Sequence, residues 1–504
     1  MNKHFGKFGW GTGAILALSL ALSACGGSNG SNASAGTAGA AGSSASKPVE
    51  LTMAYMNFGT TTDLQAVQDE ISKITKEKIN ATVKLMPIDV AAWQQQVNLL
   101  LAGNENLDLL VTSSFYNYSS QVAKNQLIPL DDLLAQYGTG IKDTMNEKIY
   151  NGTKIDGKIY GVPSVRDTAA DYGMLMRKDL VDKYGIDLNS LQSFEDLGSV
   201  FQTIKDKEPG IIPLVQNTTS QTVASIMYNK DIDLLGDGLG AMLINKNDLK
   251  VVNMFDTREY KDAIAQARKW YETGYIMQDA ATTQESGNSL VKAGKAFGYL
   301  SNMKPGFEQQ DSKADGREMV AARFTQPVTQ STSANGFMLS IPRNSRNPER
   351  AMQLMNLLYT DKDIVNLLDN GIEGKHYVKN ADGTIKMPDG AAQGYLFNQW
   401  EVGNNALAGV WEGTPADIWE QMKKFNDSAI FSKALGFTFD ASPVKTEVAA
   451  ATNVLNQYKV GLESGTLDPA LLTEFNGKMK AAGLDRIIAE KQKQLDAWAA
   501  ANAQ

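Results

Sequence analysis

The sequence contains one cysteine, Cys25, and its position marks it for covalent modification. Lys3 and Lys7 lie near the start of the chain, and an uninterrupted run of Ala, Ile, Leu and Ser occupies residues 14–24, directly before the thiol. A positive start followed by a short apolar run and small residues is typical of an export signal. Because there is no second cysteine, no internal disulfide forms, and modification of the exported thiol is the chemistry we expect.

Enzyme motifs are absent from the chain. There is no Gly-x-Ser-x-Gly elbow, no Gly-x-x-x-x-Gly-Lys-Ser/Thr loop and no His-Glu-x-x-His pair, and His376 is the one histidine beyond the export signal. The sequence therefore predicts no catalytic residue, no metal and no cofactor. A pair of acidic residues that hydrolyses a polysaccharide stays open as an alternative, because the spacing of such a pair is a tertiary property.

Aromatic and hydrogen-bonding residues meet at the ends of two predicted strands. Tyr55, Asn57 and Phe58 lie at the end of the first strand, and Ser113, Ser114 and Tyr116 follow the third. A sugar offers apolar C–H faces and a rim of hydroxyls, which such side chains match. Phe115 and Tyr118 in the same stretch are explained as well by packing against the following helix, and Tyr116 is the better candidate.

The elements around these residues alternate between strand and helix. The hydrophobic pattern predicts strands over residues 50–55, 82–86 and 107–111, with helices over 63–79 and 91–102 between them. Such β-α-β units form parallel sheets, and ligands bind beyond the carboxyl ends of their strands. The chain is too long for one hydrophobic core, so we expect two lobes. A formal net charge of −8 argues against nucleic acid as a partner.

The four residues from Leu22 to Cys25 resemble the lipobox of bacterial lipoproteins, in which the thiol receives a diacylglycerol and the preceding peptide is removed. The resemblance implies a lipoprotein signal peptide over residues 1–24 and a lipid anchor at Cys25. Residues 25–47 are mostly Gly, Ser and Ala, a composition typical of a flexible tether. We therefore expect a body held on the extracellular face of the cell membrane.

Several longer motifs carry a second resemblance. They are Trp93–Gly103 leading to Leu107–Val111, Tyr160–Pro163, Trp270–Gly274, Gly336–Pro342, Gly371–Tyr377 and Phe437–Glu447. Over essentially its whole length the chain resembles the solute-binding lipoproteins of bacterial ABC importers, family 1, which are maltose-binding-protein-like, in their Gram-positive branch. This implies an α/β, two-lobed, periplasmic-binding-protein-like (class II) fold with a hinge between the lobes. It also implies a monomer that captures an oligosaccharide and delivers it to the permease and its associated ATPase.

The resemblance places the lobes and the remaining candidate residues. We expect an N-terminal lobe from residues 48–163 and 336–375, and a C-terminal lobe from residues 164–335 and 376–504. Seven further ligand-binding candidates lie on the crossing segment, at the end of a second-lobe strand, in a glycine-bounded loop and in an irregular stretch: Arg166, Asp167, Tyr299, Asn302, Glu373, His376 and, as an aromatic platform, Trp411. For Arg166 and Asp167 a solvated hinge ion pair is the alternative. Trp270 falls at helical spacing with apolar neighbours, so we expect it in a core.

Three other functions stay open at this point. One is a binding protein of the same fold for a peptide or another polar solute. Another is a tethered polysaccharide-degrading enzyme, and the third is an adhesion or scaffold lipoprotein without a cleft.

Overall fold

The computed structural model describes residues 47–246 and 248–502. The predicted signal peptide, Cys25 and the tether up to residue 46 lie outside the described residues, so those predictions are not tested by it. Among the helices of the described part, none has the length and apolar character needed to cross a membrane.

The first part of the chain alternates strands and helices as the hydrophobic pattern predicts. Its elements are β1 (Val49–Asn57), α1 (Leu64–Ile79), β2 (Ala81–Asp89), α2 (Trp93–Ala102), β3 (Leu109–Thr112), α3 (Tyr118–Ala123), α4 (Asp131–Tyr137), α5 (Glu147–Asn151), β4 (Lys154–Ile155), β5 (Lys158–Ile159) and β6 (Val162–Pro163).

The middle of the chain supplies the elements of a second core. They are β7 (Asp171–Arg177), α6 (Lys178–Tyr184), α7 (Leu197–Lys207), α8 (Val223–Tyr228), β8 (Ile232–Asp233), β9 (Met242–Leu243), α9 (Arg258–Glu272), α10 (Gly287–Lys292), β10 (Gly298–Met303), α11 (Phe307–Asp315), β11 (Met319–Arg323) and β12 (Val328–Thr329).

The chain then returns to the first core and finally adds helices to the second. These last elements are β13 (Met338–Ser340), α12 (Pro348–Thr360), α13 (Lys362–Asn370), β14 (Val378–Lys379), β15 (Ile385–Lys386), α14 (Ile418–Asp427), β16 (Ile430–Phe431), α15 (Lys445–Glu463), α16 (Leu472–Ala481) and α17 (Leu484–Asn502).

The first core is built on a five-stranded sheet with the order β2-β1-β3-β13-β6. β1 lies parallel to β2 and to β3, whereas β13 runs antiparallel to its neighbours. Six consecutive residues of β1 are buried, as expected for a strand with helices on both faces of its sheet. α1 buries Val67 and Ile71 against this sheet and ends at Asn80, whose left-handed conformation (φ 49°) closes the helix.

The second core is built on an antiparallel sheet, β10-β7-β11, surrounded by helices. All seven residues of β7 are buried between its two partners. Trp270 on α9 is 1% exposed and packs edge-to-face against Phe201 at 5.2 Å, so the prediction that it fills a core is confirmed. A smaller cluster around Phe437 and Leu495 joins the last helix to this part of the chain.

The chain passes between the two cores along segments that contact one another. Residues 164–170 link β6 to β7, and residues 330–337 link β12 to β13. Ser164 donates its backbone N–H to the Phe337 carbonyl at 3.3 Å, and the Asn405 side chain donates to the Val165 carbonyl at 2.8 Å. The fold is thus α/β with two cores joined by crossing segments, as predicted from the sequence.

One segment differs from the predicted lobe assignment. Residues 376–504 were expected in the second lobe, yet Tyr395, Phe397 and Val402 are buried in the first core. The reason is aromatic packing, because the Phe397 ring lies 4.9 Å from the ring of Tyr55 on β1. The other lobe boundaries stay a prediction.

Candidate ligand-binding site

The carboxyl ends of the parallel strands meet at one edge of the first sheet. Asn57 pairs with Asp89 in the register of β1 and β2, and the Asn57 side chain donates to the Asp89 carboxylate at 3.0 Å. Phe58 follows directly and is 48% exposed. The sequence prediction therefore holds for the placement of Asn57 and Phe58 at a sheet edge.

Four aromatic side chains form a continuous series along this edge, which we call the aromatic row: Phe58, Trp400, Phe337 and Phe115. Ring centroids are 5.4 Å apart for Phe58 and Trp400, 4.6 Å for Trp400 and Phe337, and 6.3 Å for Phe337 and Phe115. The two end members, Phe58 and Phe115, are 48% and 58% exposed. Half-exposed rings at the end of a rigid sheet offer stacking faces to a ligand.

The local backbone fixes the members of the row. The Ser113 hydroxyl accepts the Phe115 N–H at 3.1 Å, and Ser114 donates its N–H to the Asn335 carbonyl at 2.8 Å, which ties the turn after β3 to the segment before β13. The Ser164 hydroxyl donates to the Trp400 carbonyl at 2.9 Å. Phe337 belongs to the row because β13 is antiparallel, so that its start lies at the edge where the parallel strands end.

A charged group continues from the row toward the second core. The Arg166 guanidinium lies 5.8 Å from the Trp400 ring centroid and its Nε donates to Asp167 Oδ1 at 2.6 Å. Lys304, just after β10, contacts Asp167 Oδ2 at 2.8 Å. Burial by itself would raise the pKa of Asp167, but the two cations outweigh it and the pKa is lowered. Asp167 is thus ionised and holds both cations.

The next cation is also paired. Arg323 on β11 donates to both oxygens of Asp171 at 2.9 Å, to Glu308 at 3.0 Å and to the Lys304 carbonyl at 3.0 Å. Arg166, Lys304 and Arg323 therefore all have carboxylate partners. This part of the site presents ion pairs and no excess positive charge.

Amide side chains line the end of β10 in the second core. Gln221 donates to Asn302 Oδ1 at 2.7 Å, and Asn217 donates to Gln221 Oε1 at 3.2 Å. The Asn217 oxygen is buried without a hydrogen-bond partner among the described residues. Asn302 was predicted from the sequence, whereas Gln221 and Asn217 were missed, because no motif marks the loop that lies beside β10.

Two predicted ligand residues are core side chains in this structure. Tyr55 is 1% exposed and packs on Phe397. Tyr299 is fully buried, and its hydroxyl donates to Asp311 at 2.6 Å and contacts Asp315 at 3.1 Å. Burial raises the pKa of Asp315 to about 6. Both tyrosines are buried in the two cores, and we leave them out of the proposed site.

The three predicted residues after β3 support the turn more than they offer a surface. Ser113 is fully buried, and the Ser114 hydroxyl is buried without a hydrogen-bond partner among the described residues. Tyr116 is half-buried and packs against the first core. Phe115, which was weighed but not selected from the sequence, is the exposed member of this turn.

The glycine-bounded loop is held at the start of α1. Ile372 donates its N–H to His376 Nδ1 at 2.8 Å, so the ring proton lies on Nε2, which faces Asp63 Oδ2 at 3.2 Å. Lys375 contacts Asp63 Oδ1 at 2.7 Å. The hydrogen bonds from Lys375 and His376 lower the pKa of Asp63. Glu373 pairs with Lys379 on the exposed surface.

A cavity of about 510 Å³ lies next to this loop. His376 and Trp411 both line it, although 34 residues of chain separate them. The Trp411 indole donates to the Asn370 side chain at 3.1 Å, which fixes the ring in the cavity wall. The structure thus brings together two residues that the sequence only suggested one at a time. Trp400, the neighbouring tryptophan, belongs instead to the aromatic row.

The chemistry of the site is that of holding a ligand. Aromatic faces, amides and paired charges stack and form hydrogen bonds. In residues 47–246 and 248–502, no three His, Cys, Asp or Glu side chains are grouped so that they would hold a metal ion.

Relatives and solved structures resemble the chain over most of its length. A carbohydrate ABC transporter substrate-binding protein of Streptococcus pneumoniae serotype 4 is 26% identical over 511 aligned residues, 98% of each chain. The polygalacturonan/rhamnogalacturonan-binding protein YtcQ of Bacillus subtilis strain 168 is 22% identical over 448 residues, 77% of this chain and 86% of the relative.

The crystal structure of the N-glycan transport solute binding protein NgtS of Streptococcus pneumoniae superposes with a TM-score of 0.78 at 25% identity, covering 90% of this chain and 99% of NgtS. The structure of NgtS in complex with Man5GlcNAc superposes with a TM-score of 0.67 at 25% identity, covering 91% of this chain and 100% of NgtS.

Two family models match the chain. Residues 433–500 match a domain of unknown function, DUF3502. Residues 69–369, which include most of the first core and the sheet of the second, match the bacterial extracellular solute-binding proteins. The family predicted from the sequence is confirmed, and this chain belongs to the bacterial extracellular solute-binding proteins.

Proposed function

We propose that this chain is the substrate-binding component of an ABC importer and that its ligand is a neutral oligosaccharide held between the two cores. The observation that carries the proposal is the aromatic row beside cations that are already paired. The row supplies stacking faces, and the amides at the end of β10 supply hydrogen bonds from the other core. The ligand then contacts both cores at once.

The aromatic row suits a chain of sugar units more than a single small solute. Three centroid separations of 4.6 to 6.3 Å link its four rings in series. Its exposed ends, Phe58 and Phe115, follow two different strands of the sheet. An extended ligand with several apolar faces uses this series, whereas a compact solute uses one ring of it.

The pairing of the charges favours a neutral sugar over a uronate. A uronate carboxylate needs a cation that is free to bind it. Arg166 and Lys304 share Asp167, and Arg323 is bound to Asp171 and Glu308. Breaking one of these partly buried pairs would leave a carboxylate without its partner, which is unfavourable.

The relatives support a carbohydrate ligand, but they differ in whether the carbohydrate that each is named for is charged. The pneumococcal relative is named for carbohydrate import, and NgtS has been crystallised with Man5GlcNAc. The Bacillus relative is named for polygalacturonan and rhamnogalacturonan, the first of which is a uronate polymer. The paired cations place our proposal with the neutral ligands.

Isothermal titration of the full chain with two oligosaccharides tests the proposal. Man5GlcNAc is the neutral probe, and a galacturonate oligomer of similar length is the acidic one. We expect saturable binding of the neutral probe and none of the acidic probe at physiological salt. Tight binding of the galacturonate oligomer without binding of neutral sugars would contradict the charge argument.

Two further probes address the functions that the sequence left open. A mixture of short peptides in the same titration tests the alternative of a peptide-binding protein, and we expect no heat of binding. Mass analysis of each oligosaccharide after long incubation tests the alternative of a tethered enzyme. Recovery of intact ligand is the result that a binding protein gives.

The lipid anchor and the partners are part of the same proposal. Cys25 in its lipobox-like context carries the anchor, and the protein works as a monomer that docks on the permease. Growth of the native host with a labelled fatty acid tests the anchor. The wild-type chain should take up the label and the Cys25→Ser variant should not; an unlabelled wild-type chain would refute acylation.

A further inference from the structure

The cavity of about 510 Å³ beside the glycine-bounded loop contains a polar group that the proposed oligosaccharide contacts have not used. We call it the Asp369 cavity. Its size is within the range of small-molecule sites. Residues of the first core make up most of its wall, and Lys313 on α11 lines it from the second core. The cavity therefore lies where both cores meet.

Asp369 lies at the end of α13 and is 9% exposed. Its Oδ2 atom is buried and has no hydrogen-bond partner among the described residues. Burial raises the pKa of this carboxyl well above its ordinary value. A buried polar group without partners destabilises a fold, and it is uncommon in native proteins.

The polar groups around Asp369 are already bonded. Asn370 accepts from the Trp411 indole at 3.1 Å and donates to Asn366 at 3.2 Å. The Tyr395 hydroxyl donates to the Leu368 carbonyl at 2.7 Å, and both ring nitrogens of His376 have partners. The wall of the cavity is fixed by these bonds, and the Asp369 carboxyl has acceptor capacity that its neighbours do not fill.

We propose that the Asp369 cavity is a subsite for one sugar unit, in which the Asp369 carboxyl hydrogen-bonds two neighbouring hydroxyls of that unit while Trp411 packs against its apolar face. This inference rests on the proposed function, since the sugar unit belongs to the same oligosaccharide. A carboxyl group can both donate and accept hydrogen bonds, which matches two sugar hydroxyls on adjacent carbons.

Removal of the carboxyl separates this role from a structural one. In the full chain, Asp369→Leu should raise the thermal midpoint without ligand, because an unpaired buried carboxyl is lost. The same variant should weaken binding of Man5GlcNAc roughly 10- to 100-fold, because two hydrogen bonds to the ligand are lost. Asp369→Asn keeps the shape of the side chain and should also weaken binding, so a folding defect of the leucine variant does not block the test.

Two controls complete the design. Asp389→Asn changes a carboxylate that is 96% exposed on the neighbouring surface, and it should change neither the thermal midpoint nor the affinity. Lys313→Met tests whether Asp369 acts through a contact with Lys313. If it does, the effects of Lys313→Met and Asp369→Leu will not add, and the proposal of direct ligand contact is overturned; additive effects support it.

The outcomes distinguish this inference from the proposed function. If the wild-type chain binds Man5GlcNAc and neither Asp369 variant lowers the affinity, the subsite is refuted and the proposed function stands. If the wild-type chain binds no neutral oligosaccharide, the proposed function fails and the sugar subsite fails with it. A higher thermal midpoint together with lower affinity supports the subsite.

Discussion

Glu401 lies next to Trp400 of the aromatic row and provides the clearest pH-dependent prediction. It is fully buried, and its Oε2 atom accepts the Met56 N–H at 2.9 Å near the end of β1. Its Oε1 atom has no hydrogen-bond partner among the described residues. Burial raises the pKa of this carboxyl from 4.5 to about 8. At neutral pH the folded protein therefore either keeps this group protonated or buries a charge.

The sign of the effect follows from proton binding. Between pH 4.5 and about pH 8 the folded state holds the proton that the unfolded state releases. Stability is therefore greatest below the ordinary pKa and is lost as the pH rises through this window. The loss is about 1.4 kcal/mol per pH unit, so that Glu401 lowers the free energy of unfolding by about 3 kcal/mol between pH 5 and pH 7.5.

Glu401→Gln removes this titration and keeps the size of the side chain. The variant carries an uncharged amide whose oxygen can still accept the Met56 N–H. Its unpaired NH₂ group lowers the free energy of unfolding by about 1–3 kcal/mol at every pH. Relative to wild type, the free energy of unfolding of the variant should therefore rise by about 3 kcal/mol between pH 5 and pH 7.5. That gain corresponds to roughly 6–12 °C in the thermal midpoint for a unit of 150–250 residues.

Thermal unfolding of both proteins at several pH values from 5 to 8 measures the prediction. Other buried carboxyls with raised pKa values, such as Asp315 and Asp369, titrate equally in both proteins, so the difference between the two curves isolates Glu401. Asp389→Asn, on the exposed surface, is the matched control and should give a constant difference. A difference between Glu401→Gln and wild type that does not change with pH would refute the reasoning.

Two further substitutions have expected outcomes. Trp400→Ala removes the centre of the aromatic row and should weaken oligosaccharide binding roughly 10- to 100-fold. The control is Trp498→Ala, which removes a half-buried tryptophan of α17 packed on Phe437 and should leave the affinity unchanged. Equal losses of affinity in the two variants would contradict the aromatic row as the binding site. Gly173→Ala should lower the free energy of unfolding by about 1–3 kcal/mol in denaturant titrations, because the added methyl would meet the Ala322 carbonyl oxygen at 2.0 Å. The control is Gly198→Ala in α7, where the added methyl meets open space and should raise the free energy of unfolding by up to about 1 kcal/mol. No change in the free energy of unfolding of Gly173→Ala would show that β7 and β11 separate easily.

The first sheet could be predicted because its pattern is local. The buried parallel strands β1 and β3 read as apolar runs, and the helices between them show periodic apolar faces that end at Asn80 and Gly103. The hairpin of β14 and β15 also has a local signal, the pair Asp382-Gly383, in which Gly383 has a φ of 85° that only glycine adopts easily. These elements depend on residues close in sequence.

The side chains of the site depend on contacts that local patterns do not contain. Tyr299 and Asn302 lie on one strand but an odd number of residues apart, so they face opposite sides of the sheet, and the sequence does not say which side is the core. Trp411 was predicted from the sequence and Trp400 was not, so the aromatic row was missed for a similar reason. Trp400 belongs to the row because it contacts Phe58, which follows β1, and Phe337, which precedes β13. Both residues are far from Trp400 in the sequence.

The charges between the cores bear on how a ligand favours closure. Arg166, Asp167 and Lys304 already connect the crossing segment to the second core, so a ligand gains little by adding to these pairs. A ligand shifts the equilibrium between open and closed arrangements only by contacts that differ between them. In the proposed site those contacts come from the aromatic row on one side and from Asn302 and Gln221 on the other. We therefore expect an oligosaccharide that spans both to stabilise the closed arrangement, and a monosaccharide that stacks on one ring to bind without favouring it.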